Sequence, residues 1–144
     1  MILNLSYTPL SPSIQMNIEK QGPSPEETFL SHLYEILAEK AFDSQYTVPK
    51  LCRDIGMSSS RLYRKLRSIT GKSVIEIIVG LRLEKAKQLL IRQPDCSITQ
   101  IAYDCGFEDP DYFSRAFSKQ FGVSPSGFRK MGIPPTTSFS RATT

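Results

Sequence analysis

The 144-residue sequence has no tryptophan, a single histidine and three cysteines. His32 is isolated, so no nucleophile, base and acid arrangement and no metal-ligand spacing can be assembled around it. Cys52, Cys96 and Cys105 are an odd set without a C-x-x-C pair. Neither a disulfide framework nor a zinc site is indicated, and the three read as small buried hydrophobes. Long apolar runs are missing too: none approaches the roughly 18 residues that cross a bilayer. Met1-Ile2-Leu3-Asn4 lacks the charged and apolar blocks of a signal peptide, so a cytoplasmic setting without membrane contact is expected. No segment alternates with the two-residue period of a strand, which leaves an all-α class. Thr70-Gly71-Lys72-Ser73 is like the end of a phosphate-binding loop, yet the glycine needed five residues before Gly71 is Leu66. The chain is not expected to be an enzyme, and no cofactor is implied.

What the sequence does have is an uneven distribution of positive charge. Overall, 18 Lys and Arg face 14 Asp and Glu, a formal net charge of +4. Residues 53–92 concentrate the excess, with Arg53, Arg61, Arg64, Lys65, Arg67, Lys72, Arg82, Lys85, Lys87 and Arg92 against only Asp54, Glu76 and Glu84. Such a stripe suits a polyanion and equally suits solvated helix faces, so charge alone leaves both readings open.

Residues 1–25 carry Pro9, Pro12, Pro23 and Pro25 with no sustained period and read as a linker or arm. Residues 132–144 read as a flexible tail. Between them the period is helical throughout. Ser24-Pro25-Glu26-Glu27 supplies an N-cap, a first-turn proline and two acids at the positive end of a helix dipole. Phe29, Leu30, Leu33, Tyr34, Leu37, Ala38 and Ala41 follow at helical spacing. A longer helix is expected from about Ser73 to Arg92, with Val74, Ile77, Ile78, Leu81, Ala86, Leu89 and Leu90 on one apolar face.

The chain also contains one unit twice. At an offset of 50, Thr47-Val48 matches Ser97-Ile98, Leu51 matches Ile101, Cys52 matches Ala102, Asp54 matches Asp104 and Gly56 matches Gly106. After one extra residue in the second turn, Leu62 matches Phe113, Arg64 matches Arg115, Leu66 matches Phe117 and Gly71 matches Gly122. Each copy has a capped short helix, a small residue at the packing point, a turn glycine and a second amphipathic helix, which are the requirements of a helix-turn-helix. The second helices are expected over about 59–69 and 110–121. Solenoid hairpins repeat too, but they stack directly in three or more copies, whereas here a long helix separates two. A helix of roughly 30 Å suits two reading helices one turn of B-DNA apart, about 34 Å.

The second unit reads Ile98-x-x-Ile101-Ala102-x-x-x-Gly106-Phe107, then Phe113-x-Arg115-x-Phe117, then Gly122-x-Ser124-Pro125-x-x-x-Arg129. This pattern resembles the signature of the AraC/XylS family, and the likeness extends upstream through Arg82-x-x-x-Ala86-x-x-Leu89-Leu90 to about Thr28. The resemblance implies about seven helices in two tandem helix-turn-helix subdomains. On that basis a first unit spans about 26–72, a connecting helix about 73–92 and a second unit about 96–131. It further implies sequence-specific binding of double-stranded DNA in two successive major grooves and regulation of transcription, activation rather than repression. The alternative is a helical protein interaction module that does not bind DNA.

Carried over position by position, base-reading residues fall at Ser60, Arg61, Tyr63 and Arg64 in the first unit and at Pro110, Asp111, Ser114 and Arg115 in the second. Arginine can fork onto guanine O6 and N7, and tyrosine can lie against a thymine methyl. Pro110 reads better as a helix starter, and Asp111 better as a dipole partner than as an acceptor for cytosine N4. The first unit is therefore expected to supply more discrimination and the second more positioning. Phosphate contacts are expected from hydroxyls near helix N-termini, Thr47, Ser58, Ser97 and Ser126, and from Lys65, Arg67, Lys72, Lys119, Arg129 and Lys130. Arg82, near the apolar face of the connecting helix, is expected either to form an internal ion pair with an acid such as Asp54 or Asp104 or to meet DNA. Gly80, inside the connecting helix, implies either a closely packed neighbour or a soft spot. RNA polymerase is an expected partner. The first 25 residues cannot build a sensing domain. Either the protein acts alone or it is the C-terminal output piece of a longer chain. The arm and Glu27-Thr28-Phe29-Leu30 resemble the junction between a receiver domain and its AraC-type output in hybrid two-component regulators, which implies an upstream receiver or sensor domain.

Overall fold

The computed structural model describes residues 22–132, so most of the expected arm and nearly all of the tail lie outside the described residues. Among these residues there are seven helices and no strand. They are α1 Pro25–Lys40, α2 Val48–Ile55, α3 Ser59–Thr70, α4 Val74–Arg92, α5 Ile98–Asp104, α6 Pro110–Phe121 and α7 Pro125–Met131. The chain divides into two compact units at Glu35, within α1.

In the unit up to Glu35, the start of α1 is a reciprocal cap. Ser24 Oγ accepts the Glu27 amide at 3.1 Å, and the Ser24 amide donates to the Glu27 carboxylate at 2.7 Å. The same device opens α4, where Ser73 and Glu76 exchange bonds of 3.1 and 2.8 Å. Ser58, Ser97 and Ser124 likewise cap α3, α5 and α7, each accepting an amide three residues on.

From Ile36 on, α4 is the hub, in contact with α3 on one side and with α5, α6 and α7 on the other. Its 19 residues extend about 28 Å. The single apolar face expected from the sequence is in fact two. Val74, Ile77 and Ile78 are buried where the helix follows α3, and Leu83, Ala86 and Leu90 are buried with Ile101, Ala102, Cys105, Phe107, Phe113 and Phe117 of the second unit. At about 100° per residue these triplets lie on nearly opposite sides of the helix. Leu83 thus takes the buried place expected of Leu81, which is only partly covered. Gly80 stands at the changeover, and a Cβ built on it would meet nothing within 4 Å, so no close-packed neighbour explains it.

Arg82 does not form the expected ion pair. Its Nε donates to the Ala41 carbonyl at 2.6 Å and a terminal nitrogen donates to the Asp43 carbonyl at 3.3 Å. The two expected acids are engaged elsewhere: Asp54 accepts from Tyr46 Oη at 2.6 Å and from Lys40 Nζ at 3.0 Å, and Asp104 accepts from Gln100 at 2.9 Å. The physical reason is that α1 ends at Lys40, so the Ala41 carbonyl has no helical partner and takes the half-buried guanidinium, which also joins the Tyr46 amide on the Asp43 carbonyl. Burial lowers the Arg82 pKa, opposed by the carboxylates of Asp43 and Glu108. Against this loop sits the turn of the second unit. Gly106 has φ +101°, and a Cβ there would stand 2.8 Å from Arg82 Nε and 2.9 Å from the Phe42 backbone.

The two glycines therefore respond oppositely to the same change. Gly80→Ala is expected to stabilise the chain by about 1 kcal/mol through helix propensity. Gly106→Ala adds backbone strain to a collision and is expected to destabilise it by about 3 kcal/mol or more. Urea unfolding of both variants, followed by helical circular dichroism, checks the signs; destabilisation by Gly80→Ala would refute an open flank on α4. A second expectation concerns acid. The Tyr46 hydroxyl first, and then the Lys40 ammonium, hold the Asp54 carboxyl below its ordinary value. Because the folded value is depressed, this stabilisation is complete above the unfolded pKa of about 3.9 and is lost as pH falls through the folded value. Tyr46→Phe should raise the Asp54 pKa in a carbon-detected NMR titration, and an unchanged titration would show that the hydroxyl does not hold the carboxylate.

Candidate nucleic-acid interface

α3 and α6 present equivalent surfaces built in different ways. In α3, Leu62 and Leu66 are fully buried, which turns Ser60, Arg61, Tyr63 and Arg64 outward, all exposed. The side chains of Arg61 and Arg64 have no hydrogen bond or ion pair among the described residues, so both guanidinium groups are available to an outside acceptor. Lys65 is half-buried. Arg67 spends one donor on the Gly71 carbonyl at 3.2 Å, at the end of the helix, and stays exposed. No acid lies in the first turn of α3.

In α6, Phe113 and Phe117 are the buried pair. The cap is Asp109, whose carboxylate accepts the Asp111 amide at 2.9 Å, and Pro110 occupies the first turn. Both positions fit the helix-starter reading of Pro110 and the dipole reading of Asp111. Asp111 and Arg115 are exposed and Ser114 is half-buried. Two carboxylates, Asp109 and Asp111, thus stand at the start of α6 where α3 has none.

Between α4 and α6 lies an open cleft of about 540 Å³, lined by Lys72, Ile75, Glu76, Val79, Gly80, Leu83, Tyr112, Arg115, Ala116, Lys119 and Gln120. The side chains of Arg115 and Lys119 have no hydrogen bond or ion pair among the described residues, and the Lys72 ammonium acts electrostatically on Glu76. Ile75 and Tyr112, both exposed, belong to this surface and were not singled out by sequence reasoning. The Tyr112 ring lies 6.0 Å from that of Phe107. Nothing local marks Ile75, which sits on α4 as an ordinary apolar helix residue.

The hydroxyls differ in availability. Thr47 precedes α2 without a side-chain capping bond. Ser58 and Ser97 accept the amides of Arg61 and Gln100 at 3.3 and 3.0 Å, which leaves each hydroxyl proton free to donate. Ser126 lies 3.4 Å from Ser124 Oγ and is exposed. Arg129, expected at a phosphate, also has an internal task. Its Nε donates to the Leu90 carbonyl at 3.2 Å and a terminal nitrogen to the Gln93 carbonyl at 3.0 Å, closing the end of α4. Among the described residues no cluster of His, Cys, Asp or Glu could hold a metal ion, and no helix is long and apolar enough to cross a membrane.

Comparison with known proteins fits this geometry. A family model described as a helix-turn-helix domain matches residues 51–131, more than half of the chain. Histidine kinase P4 of Formosa agariphila is 33% identical over 114 residues, covering 74% of this chain but 8% of that protein. Several further relatives are named HTH-type transcriptional regulators or activators. The chain spans less than half the length of the curated relatives it matches. Among solved structures, the C-terminal domain of AraT, a response regulator from Geobacillus stearothermophilus, superposes with a TM-score of 0.69 at 28% identity, covering 79% of this chain and 94% of that one. The DNA-binding domain of AdpA, a global transcriptional factor solved with a target DNA, superposes with a TM-score of 0.60 at 28% identity, covering 76% and 93%. With its duplicated helix-turn-helix and its paired outward arginines, the chain belongs to the AraC-type helix-turn-helix family of DNA-binding transcription regulators.

Proposed function

We propose that α3 and α6 enter two successive major grooves of double-stranded DNA, with α3 as the sharper reader, and that the bound chain activates transcription through RNA polymerase. The observation that carries this reading is the pair of repeat-related helices whose outward arginines, Arg61 and Arg64 on one and Arg115 on the other, have no internal partner among the described residues. Bases would be met by Ser60, Arg61, Tyr63, Arg64, Ser114 and Arg115. Phosphates would be met by Thr47, Ser58, Ser97, Ser126, Lys65, Arg67, Lys72 and Lys119. Asp111 leaves the base-reading set in favour of its dipole role. Activation is favoured by relatives named transcriptional activators. An upstream receiver or sensor domain in a longer, cytoplasmic chain is favoured by the likeness to part of a histidine kinase and to the C-terminal domain of a response regulator.

The inequality of the two heads follows from charge. A carboxylate at a helix N-terminus stabilises that helix by about 0.3–1 kcal/mol but repels the phosphates flanking a groove. α6 carries Asp109 and Asp111 there, and α3 carries neither. Selection from a random DNA pool should return one asymmetric element with two half-sites a helical turn apart, one half sharper than the other. Arg64→Ala is expected to cost about 1–3 kcal/mol on that element and to relax preference at one base pair. Arg115→Ala should weaken selected and scrambled DNA more nearly alike, and the reverse pattern would exchange the two roles. Lys119→Ala should reduce the slope of log affinity against log salt by about 0.9 without changing preference.

A further inference from the structure

The two reading units are joined twice, once through the chain and once through space. The covalent link is α4, whose buried face changes sides around Gly80, where a Cβ would meet nothing within 4 Å. A helix joined only in this way could bend at its glycine. The second link is the loop of residues 41–46. On the first unit it is anchored by Tyr46 Oη on Asp54 of α2 at 2.6 Å and by Lys50 Nζ on the Gln45 carbonyl at 2.9 Å. On the second unit Gln45 Nε2 donates to the Glu108 carboxylate at 2.6 Å, and Gly106 brings its backbone against that of Phe42. Arg82, two residues beyond Gly80, pins the same loop through the Ala41 and Asp43 carbonyls.

We infer that this seam of Arg82, Gly106 and the Gln45–Glu108 pair fixes the spacing between the reading helices, so that half-site spacing is a determinant of specificity set by no base contact. The geometric reason is that two struts between the same bodies make a frame, whereas one strut with a glycine makes a hinge. Arg82 and Gln45 are positioning residues: they touch protein, and they act on DNA through the placement of α3 and α6. Inserting one base pair between half-sites rotates one by roughly 35° and moves it about 3.4 Å, which a frame resists and a hinge follows.

The inference rests on the two-groove reading above, and one binding series separates their fates. The full 144-residue chain is titrated onto its selected site and onto versions with one base pair inserted or removed between the half-sites. The unmodified chain should lose about tenfold or more in affinity on either change, and Gln45→Ala and Arg82→Lys should lose roughly threefold or less. Both substitutions preserve charge, so non-specific attraction is unaltered. Gln45 is exposed, so Gln45→Ala keeps the helical content even where Arg82→Lys lowers it. Adding Gly80→Ala to either variant should restore most of the spacing penalty by stiffening the remaining strut. Equal spacing penalties in the unmodified chain and Gln45→Ala overturn the inference while leaving DNA binding intact. Binding that ignores both sequence and salt overturns the DNA reading itself.

Discussion

The arrangement from Ile36 onward depends on a guanidinium that closes the end of a helix. Where α1 stops, the carbonyl of buried Ala41 needs a donor, and a buried carbonyl left without one costs about 1–3 kcal/mol, while the Asp43 carbonyl already accepts the Tyr46 amide at 3.0 Å. Arg82 supplies two donors from one rigid fork, at 2.6 and 3.3 Å, which an ammonium on a flexible stem cannot do at both sites together. The same fork lies 5.8 Å from the Phe107 ring centroid and crowds Gly106. One side chain thus ties the loop leading into the first unit to the turn at the heart of the second. Arg129 repeats the device at the end of α4, on the Leu90 and Gln93 carbonyls, so each long helix is closed by an arginine from a later element.

Those two arginines also mark where the sequence stops being legible. Helix limits, caps and the duplicated unit are local properties. Ser58, Ser73, Ser97 and Ser124 each announce a helix start that the structure contains, and α3 and α6 fall where the repeat puts them. The partners of Arg82 and Arg129 lie 36 to 41 residues away along the chain, and a carbonyl leaves no trace in residue identity. An acid is visible in a sequence, so Asp54 and Asp104 looked like the natural partners of Arg82. Tyr46 and Lys40 were equally visible candidates for Asp54, but nothing in their spacing says that they arrive first.

The connecting helix shows a second kind of illegibility. A periodic apolar pattern is read on the assumption that one helix buries one face. α4 buries a triplet toward the first unit and another, nearly opposite, toward the second, so the full-length pattern blurs and Leu81 is taken for Leu83. Only a helix serving two cores has this signature. Gly80 falls where neither core claims a side chain, which accounts for a residue that would otherwise cost the helix about 1 kcal/mol for no packing return.

The site is legible in its residue types and less so in its balance. Arg64 and Arg115 occupy the same place in the repeat, and both point outward without an internal partner among the described residues. Their surroundings separate them. Arg64 stands on a helix whose first turn has no acid and whose other outward charges are positive, so phosphates flanking its groove meet only attraction. Arg115 stands about one and a half turns from the start of a helix that holds itself together with Asp109 and Asp111, the carboxylates best placed to stabilise α6 and worst placed to meet a phosphate. Local helix stability and groove affinity therefore pull in opposite directions on one element and in the same direction on the other. Under the two-groove proposal, a frame that fixes both helices at once lets the first head carry the more weakly attracted second one onto DNA, and Arg115 would then contribute position more than choice.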